Sequence, residues 1–193
     1  MNLRDRDIEI KKMKKFIVLL FLISQAEASL IDSGRSLPPV MAGAVSSADY
    51  NNDGWPDLAI SGLTLSGYSQ TSTTNLFLGS QTGFIEDQAL PPLTGSVIAW
   101  ADYDMDGDLD LAISGYGPSV PITKLFKNNS GLFSEAQSLI GVGAGAISFV
   151  DVDNDGDQDL AICGSSTAGP VTKLFKNQYG TFTEAQSLTG VYR

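Results

Sequence analysis

Histidine is absent from this chain of 193 residues, and cysteine occurs only once, at Cys163. Without histidine the chain cannot form a Ser-His-Asp or Cys-His nucleophile, nor a zinc site of histidine and cysteine ligands. A single cysteine also excludes an intramolecular disulfide. Cys163 ends an apolar run at a position where two similar segments carry Ser61 and Ser114, so we expect a small, buried side chain there.

Positive charge is scarce as well. Lysine and arginine total 12 residues against 22 aspartates and glutamates, which gives a formal net charge of −10. A surface this acidic repels phosphate backbones, so we expect no binding to nucleic acid. Hydrophobic residues make up 42% of the chain and charged residues 18%, a composition typical of a folded globular protein.

Long apolar runs are also missing, since the run at residues 16–23 has eight residues where a membrane-spanning helix needs about 20. Four lysines lie within residues 11–15 just before it, and the small-residue triplet Ala26-Glu27-Ala28 follows. This pattern predicts a secretory signal peptide at residues 1–28 with cleavage after Ala28, and a buried segment of the domain is the alternative. We therefore expect a secreted, extracellular or cell-surface protein whose mature chain, residues 29–193, has no membrane span.

What the chain does contain is an internal repeat. Three segments align without gaps, and their starts are 53 and 49 residues apart. They read DYNNDGWPDLAISG at residues 49–62, DYDMDGDLDLAISG at 102–115 and DVDNDGDQDLAICG at 151–164. We call residues 49–57 loop one, 102–110 loop two and 151–159 loop three.

Each repeat reads as four short antiparallel strands, with no helix of useful length after Ala28. In the second copy they are predicted at residues 97–101, 110–114, 123–127 and near 132–139. Four strands in about 50 residues are typical of a propeller blade. The predicted fold is therefore all-β, a partial β-propeller of about three blades. The predicted blades span about residues 37–89, 90–138 and 139–187, with a fourth, truncated repeat starting at 188–193. A β-sandwich would leave the similarity between the repeats unexplained.

The three loops share the spacing Asp, x, Asp or Asn, x, Asp, Gly, x, x, Asp. Oxygen ligands at alternate positions point inward when a chain curls around a cation, and Ca²⁺ takes six to eight oxygens. We therefore predict three calcium sites. The predicted side-chain ligands are Asp49, Asn51, Asp53 and Asp57 in loop one, Asp102, Asp104, Asp106 and Asp110 in loop two, and Asp151, Asp153, Asp155 and Asp159 in loop three. At position seven, Trp55, Asp108 and Asp157 are predicted to offer the backbone carbonyl.

Charge supports this prediction. Residues 1–28 hold six basic and four acidic residues, so the mature chain keeps 18 acidic residues, of which 13 lie in the three loops. Crowded carboxylates repel one another unless a cation is present, and Mg²⁺ is less suited because it demands tight octahedral geometry. The loops are not EF-hands, because position twelve is isoleucine rather than glutamate. Loop one carries Asn51 in place of an acid, so we expect it to bind calcium most weakly; an acidic turn without metal is the alternative.

The order of strand, acidic loop and Leu-Ala-Ile strand resembles the FG-GAP and VCBS repeats, which occur in the β-propeller of integrin alpha chains and in many secreted proteins. The resemblance covers about residues 37–193. It implies that each repeat forms one blade and that its loop binds calcium. The Thr-Lys-Leu-Phe-Lys-Asn segments at residues 123–128 and 172–177 fit the VCBS type more closely than the integrin type. Closed propellers have roughly 4–8 blades, so we expect further blades from a longer chain, or self-association.

These expectations favour adhesion or recognition of a protein or glycan, with calcium in a structural role. The connecting loops at residues 63–73, 116–122 and 165–171 would lie on the face opposite the acidic loops, and they carry Tyr68 and Tyr116. We expect the partner to bind that face.

Two other functions remain open on the sequence, the propeller portion of a polysaccharide-acting enzyme and a purely structural spacer array. No free acid, base or nucleophile stands out for catalysis. Glu86, Glu135 and Glu184 recur in or beside the fourth strand of each repeat, which is typical of a structural role. We therefore expect no enzyme activity.

Overall fold

The computed structural model describes residues 37–188, and these residues form eleven β-strands and no helix. They therefore contain no helix long and apolar enough to span a membrane. The predicted signal peptide at residues 1–28 and residues 189–193 lie outside the described range. The strands are β1 (Met41–Ala48), β2 (Asp57–Ser66), β3 (Ser69–Leu78), β4 (Ile85–Ala101), β5 (Asp110–Tyr116), β6 (Pro121–Asn129), β7 (Leu132–Leu139), β8 (Gly143–Val150), β9 (Asp159–Ser166), β10 (Gly169–Gln178) and β11 (Thr181–Leu188).

The strands form two antiparallel sheets, one of seven strands in the order β1 to β7 and one of four strands, β8 to β11. The predictions of an all-β fold and of the strands in the second copy are confirmed. We call β1 to β3 with residues 85–93 repeat one, residues 94–101 with β5 to β7 repeat two, and β8 to β11 repeat three. The propeller arrangement and the blade boundaries stay predictions.

One strand, β4, joins repeat one to repeat two without a break, which the sequence did not indicate. Its first part pairs with β3 as far as Leu93, and its second part pairs with β5 from Thr94 onward. Pro91 and Pro92 have no N–H to donate, and they lie where the register with β3 shifts. The chain bends again near Gly95, which has a φ of 54°. The two halves of β4 therefore serve different neighbours within one strand.

The hydrophobic core lies between consecutive repeats. Alternate residues of β5 divide between two clusters, because successive side chains of a strand point to opposite faces: Leu111 and Ile113 pack toward repeat one, and Ala112 packs toward repeat three. The first cluster contains Tyr50, Ala59, Leu76, Leu93, Leu111, Ile113 and Phe126, and the second contains Tyr103, Ala112, Leu125, Val142, Leu160, Ile162, Phe175 and Phe182.

The second residue of loops one and two anchors its loop in this core. The Tyr50 ring lies 5.9 Å from Trp100 and 5.3 Å from Phe133, both of which belong to repeat two. Tyr103 repeats the arrangement with two phenylalanines of repeat three. Such aromatic pairs add to the free energy gained from burial alone, so each loop is fixed to the repeat that follows it.

Glutamine side chains also join the repeats. The Gln137 amide nitrogen donates to the Phe182 carbonyl at 2.7 Å, and its oxygen accepts from the Phe182 N–H at 3.0 Å. Gln88 bonds in the same way to the Gly131 carbonyl and the Phe133 N–H. Each amide therefore satisfies backbone groups of the next repeat as a neighbouring strand would.

Two of the three predicted connecting loops, residues 63–73 and 165–171, are mostly strand, and all three are shorter than predicted. The hairpin turn between β2 and β3 contains only Gly67 and Tyr68, and the β9–β10 turn contains only Thr167 and Ala168. Four residues, 117–120, join β5 to β6. Each acidic loop leads into β2, β5 or β9, and the turn follows the other end of the same strand. The turns and the acidic loops therefore lie at opposite strand ends.

Candidate metal centre

Each acidic loop connects two neighbouring antiparallel strands. Loop one follows β1, loop two follows β4 and loop three follows β8, and the ninth residue of each begins the next strand. The sixth residue of each loop is a glycine with positive φ, 96° at Gly107. Such a φ is costly for other residues, so the glycine permits the sharp turn that curls the loop.

The aspartate at position nine closes each loop from inside the protein. Asp110 is fully buried, and its carboxylate accepts the N–H of Tyr103 at 3.2 Å and that of Asn128 at 2.8 Å. Asp57 and Asp159 make the corresponding two bonds in loops one and three. Burial raises the pKa of the Asp110 carboxyl to about 6, although the two N–H donors act in the opposite direction. These aspartates tie the loop to the end of the third strand of the same repeat or, for loop one, to the residue that follows that strand. Their predicted role as ligands stays a prediction.

Positions one and five curl the loop. In loop two, Asp102 accepts the N–H of Asp106 at 3.1 Å and that of Gly107 at 3.0 Å, while Asp106 accepts the N–H of Asp108 at 3.0 Å. That last bond, followed by the interaction with Lys127, holds the pKa of Asp106 below its ordinary value. Backbone N–H groups therefore orient the Asp102 and Asp106 carboxylates independently of any bound ion.

Two clusters of three carboxylates result. Asp102, Asp104 and Asp106 each offer an oxygen atom, and these atoms all lie within 4.8 Å of one another. The corresponding cluster in loop three consists of Asp151, Asp153 and Asp155. Because Ca²⁺ binds oxygen at about 2.3–2.6 Å, two ligands of one ion are at most about 5 Å apart. The spacing therefore fits three ligands around one cation.

Two buried carboxylate oxygens have no hydrogen-bond partner: Oδ1 of Asp104, within the loop-two cluster, and Oδ1 of Asp157, beside the loop-three cluster. Asp157 is 8% exposed, and burial, followed by the neighbouring Asp155, raises the pKa of its carboxyl. A buried oxygen without a donor is costly, and a cation would satisfy it. The side chain of Asp157, and not only the predicted backbone carbonyl, is therefore available in loop three. The residues present fit a bound divalent cation.

Two lysines reach into the clusters, and the sequence did not indicate them. The Lys127 ammonium, carried by β6, forms ion pairs with Asp104 and, at 3.1 Å, with Asp106. Lys176 of β10 pairs with Asp153 and Asp155, at positions three and five of loop three. These hydrogen bonds raise the pKa of both lysines. Each three-carboxylate cluster thus holds one ammonium group.

Loop one is built differently at its centre. Asn51 stands at position three, and its amide nitrogen donates to Asp53 Oδ2 at 3.0 Å. The strand residue that corresponds to Lys127 and Lys176 is Leu78, which packs against the core between repeats one and two. Loop one also contacts loop two, since the Asn52 amide donates to Asp108 at 2.9 Å. The predicted loop-one ligands Asp49, Asn51 and Asp53 are therefore held by hydrogen bonds from backbone N–H groups and the Asn51 amide rather than by a lysine. Trp55 lies exposed in the same loop.

The loops and the strands around them match a known family. Residues 49–113 match the family model of the FG-GAP-like repeat, from the first residue of loop one to the middle of β5. The chain therefore contains an FG-GAP-like repeat. No curated protein matches it. Closer likeness to the VCBS type or to integrin alpha chains stays a prediction.

The three recurring glutamates, one in each repeat, pair with side chains of the adjacent strand. Glu135 and Glu184 form ion pairs with lysines of the adjacent strand, and Glu86 accepts a hydrogen bond of 2.6 Å from the Asn75 amide. They lie on the strands and outside the carboxylate clusters. Their role is cross-strand pairing, as their recurrence predicts.

Proposed function

We propose that this FG-GAP-like repeat protein is a secreted calcium-binding module for adhesion or recognition, in which calcium is structural. The observation that carries the proposal is the pair of carboxylate clusters whose oxygen atoms lie within 4.8 Å of one another. Calcium bound there would offset the repulsion between the carboxylates and would fix the ends of two neighbouring strands. Asp102, Asp104 and Asp106 would hold one ion in loop two.

The ligands of the other sites follow from the same positions. In loop three the proposed ligands are Asp151, Asp153 and Asp155, together with Asp157, whose buried Oδ1 has no partner. Loop one would bind through Asp49, Asn51 and Asp53, and it is proposed as the weakest site because it offers one carboxylate fewer. Calcium suits these sites better than magnesium because flexible loops of carboxylates and carbonyls match its irregular coordination.

We propose that a protein or glycan partner binds the edge formed by the β2–β3, β5–β6 and β9–β10 turns. Tyr68 is fully exposed at the first turn, and Leu65 beside it is 57% exposed. Tyr116 is partly committed to structure, because it covers Gly143 so closely that an added Cβ there would lie 2.8 Å from its ring. Tyrosine combines a large apolar surface with a polar tip, which suits recognition. Tyr68 is thus the strongest candidate contact, and no catalytic role is proposed.

Thermal unfolding of residues 29–193 tests the calcium proposal. At calcium about 100-fold above Kd, the melting temperature should lie about 5–10 °C above its value in chelator. The double variant Asp104→Asn/Asp153→Asn should lose most of that shift. Glu135→Gln/Glu184→Gln removes two carboxylates outside the clusters and should keep it. A cooperative melt that calcium does not move would reject the proposal.

Recognition is tested on glycan and extracellular-protein arrays with the same chain. Tyr68→Ser should reduce binding to any captured ligand about tenfold or more, as loss of an aromatic anchor does at an interface. Tyr179→Ser is the matched control, because Tyr179 is also exposed but lies in the β10–β11 turn, at the edge of the acidic loops. Equal binding by both variants would exclude the hairpin edge as the recognition surface.

A further inference from the structure

The lysines in the carboxylate clusters lie at corresponding places in two repeats. Lys127 and Asp104 are 23 residues apart, as are Lys176 and Asp153, and each ammonium contacts the aspartates at positions three and five of its loop. A chance surface ion pair would not recur with the same partners and the same separation. The arrangement is therefore a property of the repeat.

The strands also carry a second lysine that pairs elsewhere. Lys124 pairs with Glu135, and Lys173 pairs with Glu184, both across neighbouring strands and away from the loops. Each of β6 and β10 thus carries one lysine that pairs across the sheet and one that neutralises a carboxylate cluster. Only the second kind shares oxygen atoms with the proposed calcium sites.

An ammonium group and a calcium ion cannot use the same oxygens at once. The ion would lie about 2.3–2.6 Å from them, next to a lysine nitrogen that now lies within hydrogen-bond distance. Two like charges at such a separation repel strongly where water is partly excluded. The Lys127 and Lys176 side chains are 37% and 46% exposed, so each can turn outward into water.

Repeat one shows what the position looks like without the lysine. Leu78 occupies it. At positions one, three and five, loop one has two aspartates and one asparagine, whereas loop two has three aspartates. A lysine therefore stands at this strand position in the repeats whose loop has an aspartate at position three, and a leucine stands there in the repeat whose loop has an asparagine. At this strand position, the three described repeats carry an ammonium group only where three carboxylates converge.

We propose that Lys127 and Lys176 are tethered cations that hold loops two and three together without metal and must be displaced when a divalent cation binds. They thereby set the cation affinity of these loops, a statement that rests on the proposed calcium function. Their role in the metal-free protein does not depend on that function.

The test compares two double variants of residues 29–193. Lys127→Leu/Lys176→Leu introduces the residue that repeat one carries naturally, and Lys124→Leu/Lys173→Leu removes the same total charge away from the loops. In chelator, the first variant should melt about 3–5 °C below the wild type, and the control should lose no more than about 2 °C. By calorimetric titration, calcium affinity of two sites should rise about five- to tenfold in the first variant and less than about threefold in the control. Lys127→Gln/Lys176→Gln keeps the side chain polar and should give the same result if leucine disturbs folding.

The outcomes separate this proposal from the calcium function. Calcium binding only in the Lys127→Leu/Lys176→Leu protein would mean that the lysines fill the sites permanently, which supports the tethered cations and rejects calcium in the native protein. If no variant binds calcium, the calcium function fails and the displacement step falls with it, while the melt in chelator still decides the metal-free role. An unchanged melt in chelator, or a calcium affinity no higher than that of the control, would overturn the proposal.

Discussion

Loop one and loop two have the same outer frame and different centres. In both, the aspartate at position nine accepts two corresponding backbone N–H groups. The aspartate at position one accepts the N–H groups of positions five and six. At the centre, loop one has a neutral Asn51 and no lysine, whereas loop two has Asp104 and the ammonium of Lys127. The frame that folds the loop is therefore independent of the group that counters its charge.

The largest effect should come from the shared frame. Asp57→Ala, Asp110→Ala and Asp159→Ala each remove the acceptor of two buried N–H groups, and each should lower the free energy of unfolding by about 2–4 kcal/mol. Urea unfolding in chelator measures this loss without any contribution from metal. Glu135→Ala, which removes an exposed ion pair, should cost at most about 1 kcal/mol. A loop-one variant much milder than the other two would show that the frame is not shared.

A smaller effect should come from the asparagine side chains that bind each loop from the following repeat. The buried Asn128 amide donates to the Tyr50 carbonyl of loop one at 2.7 Å, and Asn177 donates to the Tyr103 carbonyl of loop two at 2.7 Å. Asn128→Ala should destabilise the protein by about 1–3 kcal/mol and increase hydrogen exchange in loop one, and Asn177→Ala should act in the same way on loop two. Increased exchange spread equally over all loops would contradict this assignment.

Placing a lysine beside loop one, as in the other two repeats, should have a still smaller effect on the free energy of unfolding. Leu78→Lys adds to loop one the lysine of the other repeats, and its long stem can keep Leu78's apolar contacts while the ammonium reaches the loop. In chelator, the free energy of unfolding should rise by no more than about 1 kcal/mol, because the new ion pair is partly exposed. Calcium affinity of loop one should fall, as titration calorimetry would measure. A higher affinity would contradict the role of the lysine.

The smallest effect concerns position four of the loops. Met105 has a φ of 61° in loop two, where loops one and three carry Asn52 and Asn154 at 58° and 64°. Asparagine tolerates this left-handed conformation better than methionine. Met105→Asn should therefore stabilise the protein by about 0.5 kcal/mol in thermal unfolding. Asn52→Met, the reverse change in loop one, should destabilise it by a similar amount.

The sequence was sufficient for features that depend on neighbouring residues. The repeated spacing around Gly107 predicted the loops, and the four-strand pattern of each repeat predicted the strands around them, such as β5. Local turn signals were less informative, because the β2–β3 hairpin extends into a segment rich in glycine, serine and threonine that reads as a loop. Cross-strand pairing stabilised that segment in spite of its composition.

Contacts between distant residues were missed for a physical reason. Lys127 reaches Asp104 only because the register of β6 against β5 brings its side chain to the end of the loop. Gln88 and Asn128 reach across whole repeats, over separations of 45 and 78 residues. Register and packing decide such contacts, and residue spacing within a repeat does not contain them. The change from Leu78 to lysine between copies was the one available signal.

The burial of Asn128 also bears on how the protein can be produced. Asn128-Asn129-Ser130 has the acceptor pattern for N-linked glycosylation. The nitrogen to which a glycan would be joined already donates to the Tyr50 and Leu109 carbonyls, and the residue is 0% exposed. Glycosylation of Asn128 and closure of repeat two against loop one therefore exclude each other. A host that glycosylates the chain before it folds would yield a protein that cannot close this interface, whereas expression without glycosylation avoids the conflict.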